Sequence, residues 1–321
     1  MLAGLAIGLV FLWLAFREAD FQASWSALTQ ANPLWAFVAF VGGAGFMAQK
    51  TQRWGVILRP MIQPGFHTLH RAVYIGTAAN LVVAHTGEIL RASLVARKSQ
   101  AAGSAVLATV AVERILDFAA LLVLTGVALV WDPGMSPLLL TAGLLSLGFV
   151  LVGVLGVIAF LNPTPLSRRL GMMVLRPLPS RLREWVVRQL QRGVAGLGVL
   201  TEPSVILKLL ALSVLQWSWI VVAVWASAQA IGVMVPVPAA IAVFVLTVIG
   251  LTLPSSPAQL GTTQLAFVVG LELAGATAAT AFAASLVYTV CVVVAMMVIG
   301  AGCWIVSDWK PAARSAHQFE P

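Results

Sequence analysis

Apolar runs long enough to cross about 30 Å of hydrocarbon, at about 20 residues each, recur near residues 1–16, 33–49, 104–131, 137–161, 204–231 and 277–305. Each predicts a helical span. Two further stretches, 72–97 and 238–274, are apolar but broken in the middle, the first at His85 to Glu88 (HTGE) and the second at Pro254 to Gly261 (PSSPAQLG). Their arms are too short to cross, so each predicts a re-entrant helical hairpin. Such broken backbone is tolerated at membrane depth only where protein or a wet cavity surrounds it. The pattern as a whole predicts an all-α polytopic membrane protein, a single transmembrane domain over 1–321 with about six full spans and two re-entrant hairpins.

Composition agrees with that pattern. Of the 321 residues 60% are hydrophobic and only 9% charged, and the mean hydropathy is +0.97, which excludes a water-facing surface of ordinary make-up. Nineteen Lys and Arg against eleven Asp and Glu leave a net charge of +8. That excess is gathered into a few segments, as membrane topology demands and as a nucleic-acid binder does not. Segment 50–71 carries Lys50, Arg53, Arg59 and Arg71; Arg97 and Lys98 follow the first hairpin; Lys310 and Arg314 close the chain. These positions are expected on the cytoplasmic side, together with both termini. The expected compartment is a prokaryotic cytoplasmic (inner) membrane. The connections at 17–32, 132–136 and 232–237 lack such an excess and are expected outside. The two hairpins then enter from opposite faces and point toward each other. Span, hairpin, span occurs twice in opposite orientation, 33–131 and 204–305, which is the inverted-repeat plan of many transporters.

Between the repeats, 162–200 holds seven arginines, and from Ser180 onward Leu182, Trp185, Val186, Leu190 and Val194 share one helical face. A basic amphipathic connector on the cytoplasmic membrane surface is expected there. Arg168, Arg169, Arg181, Arg188 and Arg192 are then expected to touch anionic lipid. Trp35, Trp54, Trp131, Trp304 and Trp309 stand at predicted span ends, where an aromatic belt accounts for them. Cys291 and Cys303 are twelve positions apart in one helix, about 18 Å on a straight axis, too far for a disulfide. No His and Cys cluster has ligand spacing, so neither a metal nor a cofactor is expected. Residues 1–16 lack the basic start and small-residue cleavage site of a secretory signal and read as a retained span.

Charges inside the apolar stretches are few and therefore informative. Glu88 and Arg91 lie on the first hairpin, Glu113, Arg114 and Asp117 in the following span, and Glu272 near the end of the second hairpin. An ionised side chain at the bilayer centre costs on the order of 3 kcal/mol, so such groups pair or face a cavity. Glu113 and Asp117 share a helical face at i, i+4, and Arg114 reaches Asp117 at i, i+3. Counted from Ser104, Glu113 is about 13 Å and Asp117 about 20 Å into the membrane. Glu88 follows the Gly87 turn, where the helix dipole favours a carboxylate. A salt-bridge network that only clamps the hairpin to its neighbour would use the same residues. Against it, an apolar pack of equal volume is often at least as stable as buried ion pairs. His85 at the hairpin tip either shuttles protons or satisfies tip backbone groups; His67 and His70 are expected at headgroups. Hydrolytic, zinc and nucleotide-binding motifs are absent, so an enzyme is not expected.

The string NLVVAHTGEILRASLVARK (Asn80 to Lys98), followed by AVERILDF (Ala111 to Phe118), resembles the first signature of the lysylphosphatidylglycerol synthase transmembrane family, a Gly-Glu-x-x-Arg turn before a Glu-Arg-x-x-Asp helix. SSPAQLGTTQLAF (Ser255 to Phe267) is similar to that family's Ser-Pro-Gly-Gly-x-Gly-x-x-Glu hairpin, with Ala258 and Gln259 in the Gly positions and Gln264 in place of Glu. The resemblance implies a stand-alone membrane member, without the synthase domain, that moves lipids between leaflets. Residue chemistry and resemblance together make Asn80, His85, Glu88, Arg91, Glu113, Arg114 and Asp117 the candidate substrate-binding residues, with Ser255, Ser256, Gln259, Thr262, Thr263 and Gln264 facing them from the second hairpin. Arg91 and Arg114 suit a phosphate, because a planar guanidinium bonds two oxygens at once. The expected partners are membrane lipids and no nucleic acid; a homo-oligomer is left open. The expected function is flipping of anionic or zwitterionic lipids. The alternatives are a membrane-embedded transferase acting on a lipid-linked substrate, and a scaffold for lipid-modifying enzymes.

Overall fold

The structure is a computed structural model, describing residues 2–17, 20–83, 86–131, 137–161, 202–252 and 257–307. Segment 162–200, with its arginines, lies outside the described residues, as do His85, Ser255, Ser256 and Trp309. Every predicted apolar run is a helix: α1 Leu2–Arg17, α3 Pro33–Leu58, α6 Gly103–Trp131, α7 Pro137–Leu161, α8 Pro203–Ala230 and α11 Ala278–Ile305. The predicted hairpins are the pairs α4 Phe66–Val82 with α5 Thr86–Ser99, and α9 Val237–Thr252 with α10 Thr262–Glu272. Both pairs pack arm against arm.

One helix escapes the hydrophobic pattern: α2, Phe21–Thr29, too short and too polar to register as a span. Asp20 caps it, accepting from the backbone N–H of Gln22 at 2.8 Å, as the free amides of a first helical turn require. The chain then turns by 91° into α3, which opens with Pro33 at its first position and the Asn32 side chain accepting from Leu34 N–H at 2.9 Å. By length and composition α8 and α11 can cross a membrane, and α2 with α3 adds a third if counted as one broken span.

Apolar side chains face outward along the bundle, among them Leu9, Leu145, Val152, Leu207, Val298 and Ile305, while Arg53, Glu113, Gln216 and Ser285 are fully buried. That inversion of the usual soluble arrangement fits an integral membrane protein, whose surroundings are hydrocarbon and whose polar groups must find partners inside. Without a hydrophobic drive between helices in lipid, close approach depends on small residues. The central pair, α3 on α8, has them: a Cβ at Gly42 would stand 2.8 Å from that of Ala223 and 2.9 Å from the carbonyl oxygen of Trp219.

The packing has a reciprocal order. The long helix closing each predicted repeat lies on the first arm of the other repeat's hairpin: α11 on α4, and α6 on α9. The 3-10 turn Pro257–Gln259, at the tip of the second pair, rests on α4. Helix α11 also contains a π segment, Thr289–Val294, which packs on α3.

Candidate functional site

Helix α3 does not stop where its apolar run stops. Residues 50–58, predicted as part of a cytoplasmic loop, are helical, and Arg53 is completely buried. The correction has a physical cause. Nothing breaks the helix between Pro33 and Pro60, and Phe46, Lys50, Arg53 and Trp54 follow one another on one face at helical spacing, so Arg53 is carried inward to partners on neighbouring helices. Arg53 Nη1 donates to Asp117 Oδ1 at 2.8 Å and to Ser213 Oγ at 2.8 Å, and Nη2 donates to Glu113 Oε1 at 3.4 Å. Arg53 is the member of the ion cluster that the hydrophobic pattern missed, and the pair Lys50 and Arg53 at i, i+3 on α3 was the signal that could have found it.

Around it the predicted ions assemble. Arg91 Nη2 donates to Glu113 Oε2, Arg114 Nη2 to Glu88 Oε1 at 3.1 Å, and Arg114 Nη1 stands 3.7 Å from Asp117 Oδ2. Read in space, Glu88, Arg114, Asp117, Arg53, Glu113 and Arg91 form one chain of alternating sign drawn from α3, α5 and α6. Alternation is what lets so many charges share a bundle interior, since each is flanked by its opposite. The Glu88–Arg114 end opens: the Arg114 side chain is 42% exposed, against 3% for Arg91 and 1% for Glu113. Along α3, Arg53 is only about 8 Å from the C-terminal end, so the chain of ions sits off-centre, toward the α3–α4 loop.

Helix α8 supplies contacts from the other half. Trp217 Nε1 donates to Asp117 Oδ1 at 3.0 Å, and its ring lies 5.1 Å from Phe46 and 5.2 Å from Phe244 on α9. Ser213, Gln216 and Trp217 are a polar patch at i, i+3, i+4 in an otherwise apolar span, and that spacing was legible. Trp54 is likewise not in an interfacial belt: it is fully buried, donates from Nε1 to Thr109 Oγ1 at 3.0 Å and carries the Arg91 guanidinium over its ring at 4.6 Å, a cation–π contact. Trp131 and Trp304 are exposed, as a belt requires, whereas Trp35 packs edge-on against Trp225. His70 meets Thr51 through its Nδ1 at 2.8 Å, stacks on Phe66 and meets Tyr74 edge-on, occupied by protein contacts. Glu272 is exposed at the end of α10 and, among the described residues, forms no ion pair with the cluster.

The first hairpin is locked by glycine. A Cβ on Gly87 would overlap the carbonyl oxygen of Gly76, while the Gly87 N–H donates to Asn80 Oδ1 at 2.6 Å. Asn80 thus serves to close the turn that presents Glu88 in the first turn of α5. The second hairpin is braced by its own turn and by α11. Gln264 Oε1 accepts from Gly261 N–H at 2.6 Å, and its Nε2 donates to Thr289 Oγ1 at 3.1 Å on the π segment. Thr262 donates to the Gln259 carbonyl at 2.8 Å. These predicted site residues hold the turn and are not hydrogen-bonded to the chain of ions. Thr263 Oγ is buried without a partner.

Ala258 and Gln259, at the positions where the resembled hairpin has glycines, adopt φ of 55° and 60°. A Cβ in the left-handed region costs about 1 kcal/mol. Ala258→Gly and Gln259→Gly are each expected to raise thermal stability in detergent by about that amount; unchanged or lower melting temperatures for both would show the turn to be unstrained.

A bundle with an apolar exterior closed on a chain of paired ions defines an integral membrane protein built around a polar interior site. The sequence matches the lysylphosphatidylglycerol synthase TM region over residues 1–300, and the protein belongs to that family. Membership ties it to membrane lipid. No curated protein and no solved structure matches the chain.

Proposed function

We propose that the protein moves polar lipids between membrane leaflets, carrying the headgroup past the chain of ions while the tails stay in the bilayer, and leaving the lipid chemically unchanged. The observation that carries this is the open end of an otherwise buried ionic chain. Arg114 is part-exposed beside Glu88, and buried donors at Arg53 Nε and Arg91 Nη1 have no acceptor. A clamp whose only task is structural leaves no donors over, because each unmade hydrogen bond costs about 1–3 kcal/mol. A headgroup phosphate would use them.

The proposed topology places the α4–α5 and α9–α10 pairs as re-entrant hairpins entering from opposite sides of a prokaryotic cytoplasmic membrane. Both termini and the 162–200 connector then lie on the cytoplasmic face. Arg59, Arg71, Arg97 and Lys98 support this, since all fall at the ends shared by α3, α4 and α5, as the clustering of basic residues on one side would have it. The reciprocal packing of α11 on α4 and α6 on α9 supports an inverted repeat, whose halves would rock about the site. Movement of one half against the other would stretch the contacts of Trp217 and Ser213 with Asp117 and Arg53.

Transfer is measured in proteoliposomes carrying a fluorescent phospholipid, with a membrane-impermeant quencher scoring the outer leaflet and mass spectrometry scoring the lipid. Loss of the protected inner-leaflet signal beyond that of protein-free vesicles, at unchanged lipid mass, is expected. An altered headgroup mass would instead make the protein a transferase, and no acceleration would remove the proposal.

A further inference from the structure

The six ions of the chain balance: Arg53, Arg91 and Arg114 against Glu88, Glu113 and Asp117. A seventh charge is left over. Lys50 stands one turn before Arg53 and Trp54 on the inner face of α3, with its ammonium over the Phe46 ring at 5.7 Å. Among the described residues it has no ion pair and no hydrogen bond to a side chain, although it lies within electrostatic range of Glu88, Arg91, Glu113, Arg114 and Asp117. A half-buried ammonium in a helical bundle without a counter-ion is expensive, and its nearest opposite charges are already engaged by arginines.

A second observation points to what is missing. Arg91, 3% exposed, keeps Nη1 without an acceptor, and fully buried Arg53 keeps Nε without one. Gln216, also fully buried and one turn from the Ser213 that holds Arg53, has both amide atoms unpartnered. Glu88 Oε2 is an unpartnered acceptor, but its carboxylate is paired through Oε1 and does not alter the balance of charge. The region therefore holds one uncompensated positive charge together with spare cationic donors, and lacks one anion.

Resting on the lipid-transfer reading, we infer that Lys50 is a substrate-binding residue and that the substrate is a phospholipid of net negative charge, its phosphate shared between the Lys50 ammonium and the part-exposed Arg114 guanidinium and reached by the spare Arg91 Nη1. A phosphodiester brings the one negative charge that the site lacks. A zwitterionic headgroup brings its own cation, which leaves the excess in place and sets like charges close together in a medium of low dielectric. Lys50 supplies a point charge and Arg114 a two-pronged donor, a combination suited to phosphate.

Binding is measured on the whole purified protein with three probes: dihexanoyl phosphatidylglycerol, dihexanoyl phosphatidylcholine and inorganic phosphate. The wild type is expected to bind the anionic lipid on the order of tenfold more tightly than the zwitterionic one. Lys50→Gln is expected to abolish that preference, and Lys50→Arg, which keeps the charge, to retain it. Equal affinities in the wild type, or a preference that survives Lys50→Gln with the protein folded, would overturn the inference. Inorganic phosphate binding as tightly as the anionic lipid would also overturn it, by assigning the site to a soluble anion. No leaflet transfer enters this measurement. A protein that prefers the anionic lipid yet accelerates no transfer would sink the proposed function and leave the role of Lys50 standing.

Discussion

Arg53→Met is expected to be the most destabilising single substitution in the chain of ions. It removes the cation that holds Asp117 and Glu113 together and leaves Glu113, fully buried, to Arg91 alone. Breaking a buried ion pair by deleting one partner costs about 3–5 kcal/mol, because the remaining charge stays desolvated. For a chain of this size that corresponds to a fall in melting temperature of about 10 °C in detergent. The reason is charge and not packing, so a second change should rescue it: Arg53→Met with Asp117→Asn leaves two matched pairs, Arg91 with Glu113 and Arg114 with Glu88, and is expected to recover most of the loss, since removing both members of a buried pair is often tolerated. An Arg53→Met protein as stable as the wild type, or a double variant less stable than the single one, would show that the network is not what holds these helices.

Gly87→Ala is expected to separate the arms of the first hairpin. The added methyl would overlap the Gly76 carbonyl oxygen and stand 2.8 Å from the Asn80 side chain, and neither arm can yield without shifting a helix. Overpacking of this kind costs about 1–3 kcal/mol. The larger effect falls on the site. Glu88 is the next residue, so a displaced α5 carries its carboxylate away from Arg114, now 3.1 Å distant, and draws Arg91 off Trp54. The measurable outcome is loss of leaflet transfer, down to the level of protein-free vesicles, in a protein that still elutes as a single folded species. Gly55→Ala, whose Cβ would meet only Leu69 Cδ1 at 3.3 Å, is the matched control and is expected to keep transfer. If both variants behave alike, the Gly76–Gly87 contact does not set the site.

The helices were legible because lipid is a simple solvent: a run of apolar residues of bilayer length can do little else. Five of the six chain-forming ions were legible for the same reason, as charges that hydrocarbon does not accept without a partner, and the structure brings Glu88, Arg91, Glu113, Arg114 and Asp117 together. Lys50 and Arg53 were misplaced by a rule that reads basic residues beyond an apolar run as loop. The rule fails where the helix continues and the charges have partners sixty residues away in sequence, as Arg53 has in Glu113. Trp54 shows the same blind spot: an indole near the end of an apolar run looks interfacial until the Arg91 guanidinium is found against it. The second hairpin was legible as a break but not in its role, because Gln264 can either face a cavity or cap its own helix, and only tertiary structure shows it bonded to Gly261 and Thr289.

Leaflet transfer of a fluorescent anionic phospholipid, followed side by side in proteoliposomes of wild type and Arg114→Gln, bears most directly on whether the chain of ions handles lipid. Arg114 is part-exposed, so its loss should spare the fold. Wild-type vesicles are expected to lose the inner-leaflet signal at least about tenfold faster than the variant, with Arg114→Gln indistinguishable from protein-free vesicles and its melting temperature near that of the wild type. Transfer by a folded Arg114→Gln protein at the wild-type rate would contradict a headgroup site at this end of the chain.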